Sequence, residues 1–187
     1  MEKNNGFVIL TVPNLLSLFR LGLIGVFIRV YSVGERPAAA CMVLIISGIT
    51  DVLDGYIARK FNMVSDVGKI LDPLADKLTQ AVTLICLARR FPMMLLPLGI
   101  LFIKEFVIGL LFFIAIKHSG EVQSSLWHGK LNTVILYAML MLHLVWADIP
   151  ALISAISMGI SVVMMFLSAS LYAVYSLNFL KTRKNMP

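Results

Sequence analysis

Six stretches of about twenty apolar residues follow one another along this chain, at roughly 14–34, 37–58, 70–88, 93–116, 129–147 and 151–177. A helix of about 20 apolar residues is long enough to cross a hydrocarbon core of roughly 30 Å. The expected fold class is therefore all-α, a polytopic membrane protein with six transmembrane helices. Hydrophobic residues make up 59% of the 187 positions, above the roughly one-half share of a soluble domain. One domain is expected over 1–187: a short N-terminal segment 1–12, helices over about 14–177, and a basic tail 178–187. The first stretch follows a polar lead, starts at Pro13 and carries Arg20 and Arg29, so it reads as a span without a convincing signal-peptide cleavage site. Cys41 and Cys86 fall inside apolar spans and read as packing residues, not a disulfide framework.

Topology explains the net charge of +6 better than nucleic acid does, because the basic residues are scattered over short loops and form no stripe. With the N-terminus inside, the cytoplasmic segments hold Lys3, Arg59, Lys60, Lys69, Lys117, Lys130, Lys181, Arg183 and Lys184, against Arg36, Arg89 and Arg90 outside. That asymmetry predicts a cell-membrane protein with both termini in the cytoplasm. Gly34 to Pro37 reads as a turn, 59–69 as a polar link closing on Asp66 and Gly68, and 117–128 as the longest hydrophilic loop. His118 and His128 read as solvated or interfacial, His143 as a packing residue, and Met139 and Met165 as adaptable filler.

Five of the ten acidic residues lie between positions 51 and 76. Asp51 and Asp54 are three apart and Asp72 and Asp76 four apart, so each pair projects from one face of its helix. If the second and third spans are antiparallel neighbours, the pairs can converge. Four close carboxylates repel one another in a low-dielectric setting, and cations relieve the repulsion. Oxygen-only ligands select hard ions such as Mg²⁺ or Mn²⁺, which also bind phosphates. Structural ion pairing with Arg59, Lys69 or Lys77 is the alternative. A transporter would spread titratable groups through the bilayer depth, whereas these gather at one side.

The run DVLDGYIARKFNMVSDVGKILDPLAD resembles the full signature of the CDP-alcohol phosphotransferases, with Asp51, Asp54, Gly55, Ala58, Arg59, Gly68, Asp72 and Asp76 at its fixed positions. The resemblance implies that the four aspartates ligate two divalent ions, Mg²⁺ or Mn²⁺, and that Asp76 is the base taking the proton of an incoming alcohol. It further implies that Asp54, Gly55, Ala58, Arg59 and Gly68 bind CDP-diacylglycerol, that CMP leaves, and that the protein is a homodimer in contact with membrane lipids. The residue types suit those roles: Gly55 and Ala58 permit close approach, and Arg59 offers a bidentate partner for phosphate.

Arg20, Lys104 and Lys130 are membrane-embedded cations and candidates for holding a phosphate on the acceptor. VPNLLSLFRLGLI and LDPLADKL resemble the phosphatidylglycerophosphate synthase branch, which implies glycerol 3-phosphate as acceptor. Lys104 and Glu105 stand where that branch has Arg and Glu. WHGKLNT keeps Gly129, Lys130 and Thr133 but has Asn132 in place of a second Lys, which also resembles the cardiolipin synthases, whose acceptor is phosphatidylglycerol.

Overall fold

The structure, a computed structural model, describes residues 11–61, 68–119 and 127–184. Asp66, the first ten residues and segment 120–126 lie outside the described residues. The elements are α1 (Val12–Ile28), continued as a π-helical turn (Arg29–Val33), then α2 (Pro37–Lys60), α3 (Gly68–Ala88), a 3₁₀ turn (Pro92–Met94), α4 (Leu95–Ser119), α5 (Trp127–Val145) and α6 (Ala151–Lys184). No strand occurs among the described residues. Two compact units divide the chain, residues 1–86 and 87–187.

The first unit starts at a defined cap. Thr11 Oγ1 accepts the Asn14 N–H at 3.3 Å, and Pro13 occupies the first turn, where its missing N–H costs nothing. At the far end the chain reverses through Gly34 and Glu35. A Cβ on Gly34 would stand 2.9 Å from the Val30 carbonyl oxygen, and Glu35 takes a left-handed φ of 46°. α2 runs back along α1, placing Arg20 beside Asp51 and Asp54. α3 runs parallel to α1, since Ser17 meets Asp72 near one end and Ser32 meets Cys86, at 3.8 Å, near the other.

In the second unit, α6 packs on both α4 and α5. Over residues 151–176 its buried positions are Ser154, Met158, Ser161, Met165, Ser168, Tyr172 and Ser176. Their alternating spacing of four and three gives a 3.5-residue repeat for most of the length, which suits left-handed helix packing, with small residues letting backbones approach in lipid. Gly129 serves the same close approach: a Cβ there would lie 2.7 Å from the Tyr172 hydroxyl. The His128 ring meets the Tyr172 ring edge-on at 4.7 Å, and His128 is buried where the sequence suggests a solvated or interfacial ring. Met139 and Met165 are buried between helices.

His143 pins the other end of α5. Nδ1 donates to the Met139 carbonyl at 2.8 Å, so Nε2 accepts from the Ser154 hydroxyl at 2.9 Å. Ser154→Ala removes the partner of a buried ring nitrogen and is expected to cost about 1 kcal/mol. Cys41 and Cys86 are free and buried, so a thiol-reactive dye reads unfolding directly. The expected outcome is a midpoint a few degrees lower than that of the unaltered protein; an unchanged midpoint contradicts the assigned bond.

Among the described residues, four helical segments are long and apolar enough to cross a membrane: Val12–Val33, Pro37–Ala58, Pro92–Leu111 and Ala151–Ser176. The sequence reading expects six. α3 carries Asp72, Asp76, Lys77 and Gln80, and α5 carries His128, Lys130, Asn132 and His143, and these groups dilute the apolar run of each. Helix boundaries also differ from expectation. α2 includes Arg59 and Lys60, α4 extends to Ser119, and residues 178–184 of the basic tail continue α6.

Candidate functional site

Three helices of the first unit each bring one polar stripe to the site. On α2, Asp51, Asp54, Gly55 and Ala58 recur at intervals of three and four and so share a face. On α3, Gly68, Asp72, Asp76 and Gln80 recur every four residues. On α1, Asn14, Ser17 and Arg20 recur every three, and all are buried despite their polarity.

α1 links the two acid pairs. The terminal nitrogens of Arg20 donate one to Asp51 and one to Asp54, with Arg20 itself only 1% exposed. Ser17 lies against Asp72, its hydroxyl also within reach of the Pro13 carbonyl oxygen at 3.0 Å. Asp54 is buried, Asp51 is about half exposed at 48%, and both Asp51 and Asp72 are close enough to Asp54 to repel it. On α3, Gln80 Nε2 donates to Asp76 Oδ2 at 3.1 Å from a fully buried position. Pro73, between the two aspartates, has no N–H to give the carbonyl four residues back and sets the local turn without a full helical bond. Gly55 and Ala58 are half-buried on the same face as the α2 acids, and Gly68 is the buried first residue of α3. Arg59 lies on the last turn of α2.

The sequence reading does not single out Ser17 or Gln80. The signal is present, because an otherwise apolar α1 carries Asn14, Ser17 and Arg20 on one face, and Gln80 follows Asp76 by one turn. Arg20, expected to face an acceptor phosphate, has both terminal nitrogens engaged by the α2 acids. Lys104 and Lys130 belong to the second unit. Lys104 is buried on α4 with its ammonium 2.9 Å from Glu105 Oε1, and Lys130 is exposed near the start of α5.

A family sequence model for CDP-alcohol phosphatidyltransferases matches residues 10–170. The chain belongs to this family. The residue order Asp51, Asp54, Gly55, Ala58, Arg59 lies on α2, and Gly68, Asp72 and Asp76 lie on α3. Among relatives, a Rickettsia bellii protein named CDP-diacylglycerol--glycerol-3-phosphate 3-phosphatidyltransferase is 35% identical over 108 residues, 56% of this chain and 60% of that protein. A Rickettsia typhi protein of the same name is 33% identical over 127 residues, covering 66% and 70%. A Schizosaccharomyces pombe protein named cardiolipin synthase (CMP-forming) / mitochondrial hydrolase fusion protein is 48% identical over 82 residues, 44% of this chain and 14% of that one. The match thus spans about three-fifths of the Rickettsia bellii protein.

The donor set fits a hard divalent cation in chemistry: it is oxygen throughout, and three of its carboxylates share one electrostatic field relieved by Arg20. Among the described residues, no three such side chains meet at one ion-sized point. Instead, Arg20 stands on the α2 pair and Ser17 on Asp72.

Proposed function

We propose that this phosphatidyltransferase moves the phosphatidyl group of CDP-diacylglycerol to glycerol 3-phosphate, forming phosphatidylglycerophosphate and CMP. The observation that carries the reading is the gathering of Asp51, Asp54 and Asp72 around Arg20 and Ser17 of α1. The attacking alcohol oxygen forms a bond to the β-phosphorus, the phosphorus–oxygen bond to CMP breaks, and the alcohol proton passes to Asp76. Gln80 holds one Asp76 oxygen, orienting the carboxylate for that proton. Gly55 and Ala58 leave room for the nucleotide and, with Asp54, Arg59 and Gly68, complete the CDP-lipid site. Two Mg²⁺ or Mn²⁺ ions held by Asp51, Asp54, Asp72 and Asp76 would offset the charge of the pyrophosphate and of the oxygens that share it in transfer.

In this reading the whole chain acts as one catalytic domain, all six long helices span the cell membrane, the aspartates face the cytoplasm, and the protein works as a homodimer. Charge asymmetry of the loops supports the orientation. The acceptor phosphate is assigned to the cations Arg20, Lys104 and Lys130, of which Arg20 also engages the α2 acids. Lys130→Ala is expected to raise the acceptor KM roughly 10- to 100-fold, the loss of one charged hydrogen bond, with the CDP-lipid KM little changed. Equal changes in both constants contradict this assignment.

Cardiolipin synthesis, with phosphatidylglycerol as acceptor, is the second reading. Asn132 favours it, as does the name of the Schizosaccharomyces pombe relative. Supplying glycerol 3-phosphate and phosphatidylglycerol separately to the purified protein, and identifying each product by mass, separates the two. Phosphatidylglycerophosphate is expected; cardiolipin as the sole product overturns the choice of acceptor.

A further inference from the structure

The far end of α1 carries two cations for which the described residues supply no counter-charge. Arg29 opens the π-helical turn, Arg36 is the N-cap residue of α2, and both are exposed. Among the described residues neither enters an ion pair, whether with Glu35 beside Arg36 or with any other acid. Backbone bonds hold the two arginines close together. The Gly34 N–H donates to the Arg29 carbonyl at 3.0 Å, and the Arg36 N–H donates to the Val30 carbonyl at 3.2 Å. The chain reversal therefore returns Arg36 to the residue that follows Arg29.

Depth decides what these side chains can meet. Arg29 falls inside the apolar segment Val12–Val33. At 1.5 Å per residue it stands roughly 26 Å along the axis from Val12, near the far edge of a hydrocarbon core of roughly 30 Å. Tyr31, half-buried and stacked on Phe27 with ring centroids 5.9 Å apart, suits the interfacial level where tyrosines gather. An exposed cation at the edge of a span needs a partner, and lipid phosphates lie at that level. A guanidinium offers two parallel N–H groups to two phosphate oxygens. On the orientation proposed above, the turn faces outward, where the positive-inside bias disfavours arginine, so topology does not account for the pair.

We propose that Arg29 and Arg36 together hold the phosphate of one anionic phospholipid at the α1–α2 turn. The inference rests on α1 and α2 crossing the membrane and not on the transfer reaction. Two arginines against the one carboxylate of Glu35 leave the turn cationic, which favours an anionic headgroup over a zwitterionic one. The bound lipid pins one end of the helix that carries Ser17 and Arg20.

The test uses full-length protein in detergent micelles with phosphatidylserine or phosphatidylcholine added, its thermal midpoint followed through the buried thiols of Cys41 and Cys86. Phosphatidylserine is expected to raise the midpoint by several degrees and phosphatidylcholine to raise it less. Each arginine contributes about fivefold in apparent lipid affinity, so Arg29→Gln combined with Arg36→Gln should need roughly 25-fold more phosphatidylserine for the same shift. Without lipid the double variant should match the unaltered protein, because both side chains are exposed. If it fails to fold, either single substitution, about fivefold weaker in lipid affinity, decides the same point. A phosphatidylserine with a photoreactive diazirine beside its headgroup is expected to label residues 29–36 of the unaltered protein and to spare them in the double variant. Equal shifts with both lipids, an unchanged phosphatidylserine requirement in the variants, or labelling that avoids residues 29–36 overturns the proposal. A shift with millimolar inorganic phosphate as large as that with phosphatidylserine overturns a lipid as the occupant.

Discussion

Asp76→Asn abolishes practical turnover, lowering CMP release by roughly 10²- to 10⁴-fold, the usual contribution of a positioned base. The substitution keeps the shape of the side chain and an oxygen for Gln80 Nε2, which lies 3.1 Å from Asp76 Oδ2. What it removes is the negative charge and the capacity to take the acceptor's proton. Binding of CDP-lipid should persist, because Gly55, Ala58, Arg59 and the α2 acids are untouched. Rapid-mixing measurement of CMP release, beside equilibrium binding of the CDP-lipid, separates the two functions. Turnover within a few-fold of the unaltered protein removes Asp76 from the role of base.

Arg20→Met is the second large effect, and it is read in stability. Arg20 is 1% exposed and touches both Asp51 and Asp54, of which Asp54 is also buried. Removing one partner of a buried ion pair costs about 3–5 kcal/mol, because the remaining charge has no counter-charge. The lower end applies here, since Asp51 is about half exposed at 48%. In chelator, Arg20→Met should therefore unfold several degrees below the unaltered protein. Saturating Mn²⁺ should close much of that gap, because a cation on the same carboxylates replaces the lost guanidinium and binding to the folded state alone stabilises it. A deficit of the same size with and without Mn²⁺ contradicts a metal site on the α2 acids.

The course of the chain is largely legible in its sequence, because apolar runs bounded by Pro13, Gly34, Pro92 and Pro150 leave little choice of where helices fall. Their ends are less so. Arg59, Lys60 and residues 178–184 are polar enough to suggest loop, yet nothing among them breaks a helix, and α2 and α6 run through them. The aspartates are legible for a different reason. Their three- and four-residue spacing fixes a common face on each helix before any tertiary contact is known.

The contacts between helices are harder to read. Arg20 is conspicuous as a cation in an apolar span, but its partners lie 31 and 34 residues away, so its role cannot be chosen from local spacing. Ser17 passes for an ordinary small residue until α3 brings Asp72 against it, 55 positions on. His128 reads as solvated or interfacial because its burial depends on Tyr172 of α6 and on the close approach that Gly129 allows. The repeat of Ser154, Met158, Ser161, Met165 and Ser168 is visible as spacing alone. Its function in packing emerges only when α4 and α5 close on that face.

The most direct test of the central claim is metal-dependent CMP release from CDP-diacylglycerol by the purified full-length protein with glycerol 3-phosphate. Release should fall to background after chelation and return on adding Mg²⁺ or Mn²⁺. Asp54→Asn, which removes charge from the buried α2 position, should not recover at the metal concentration that restores the unaltered protein. Acceptor-dependent CMP release that continues undiminished in excess chelator would contradict the assignment of Asp51, Asp54, Asp72 and Asp76 to a divalent-cation site.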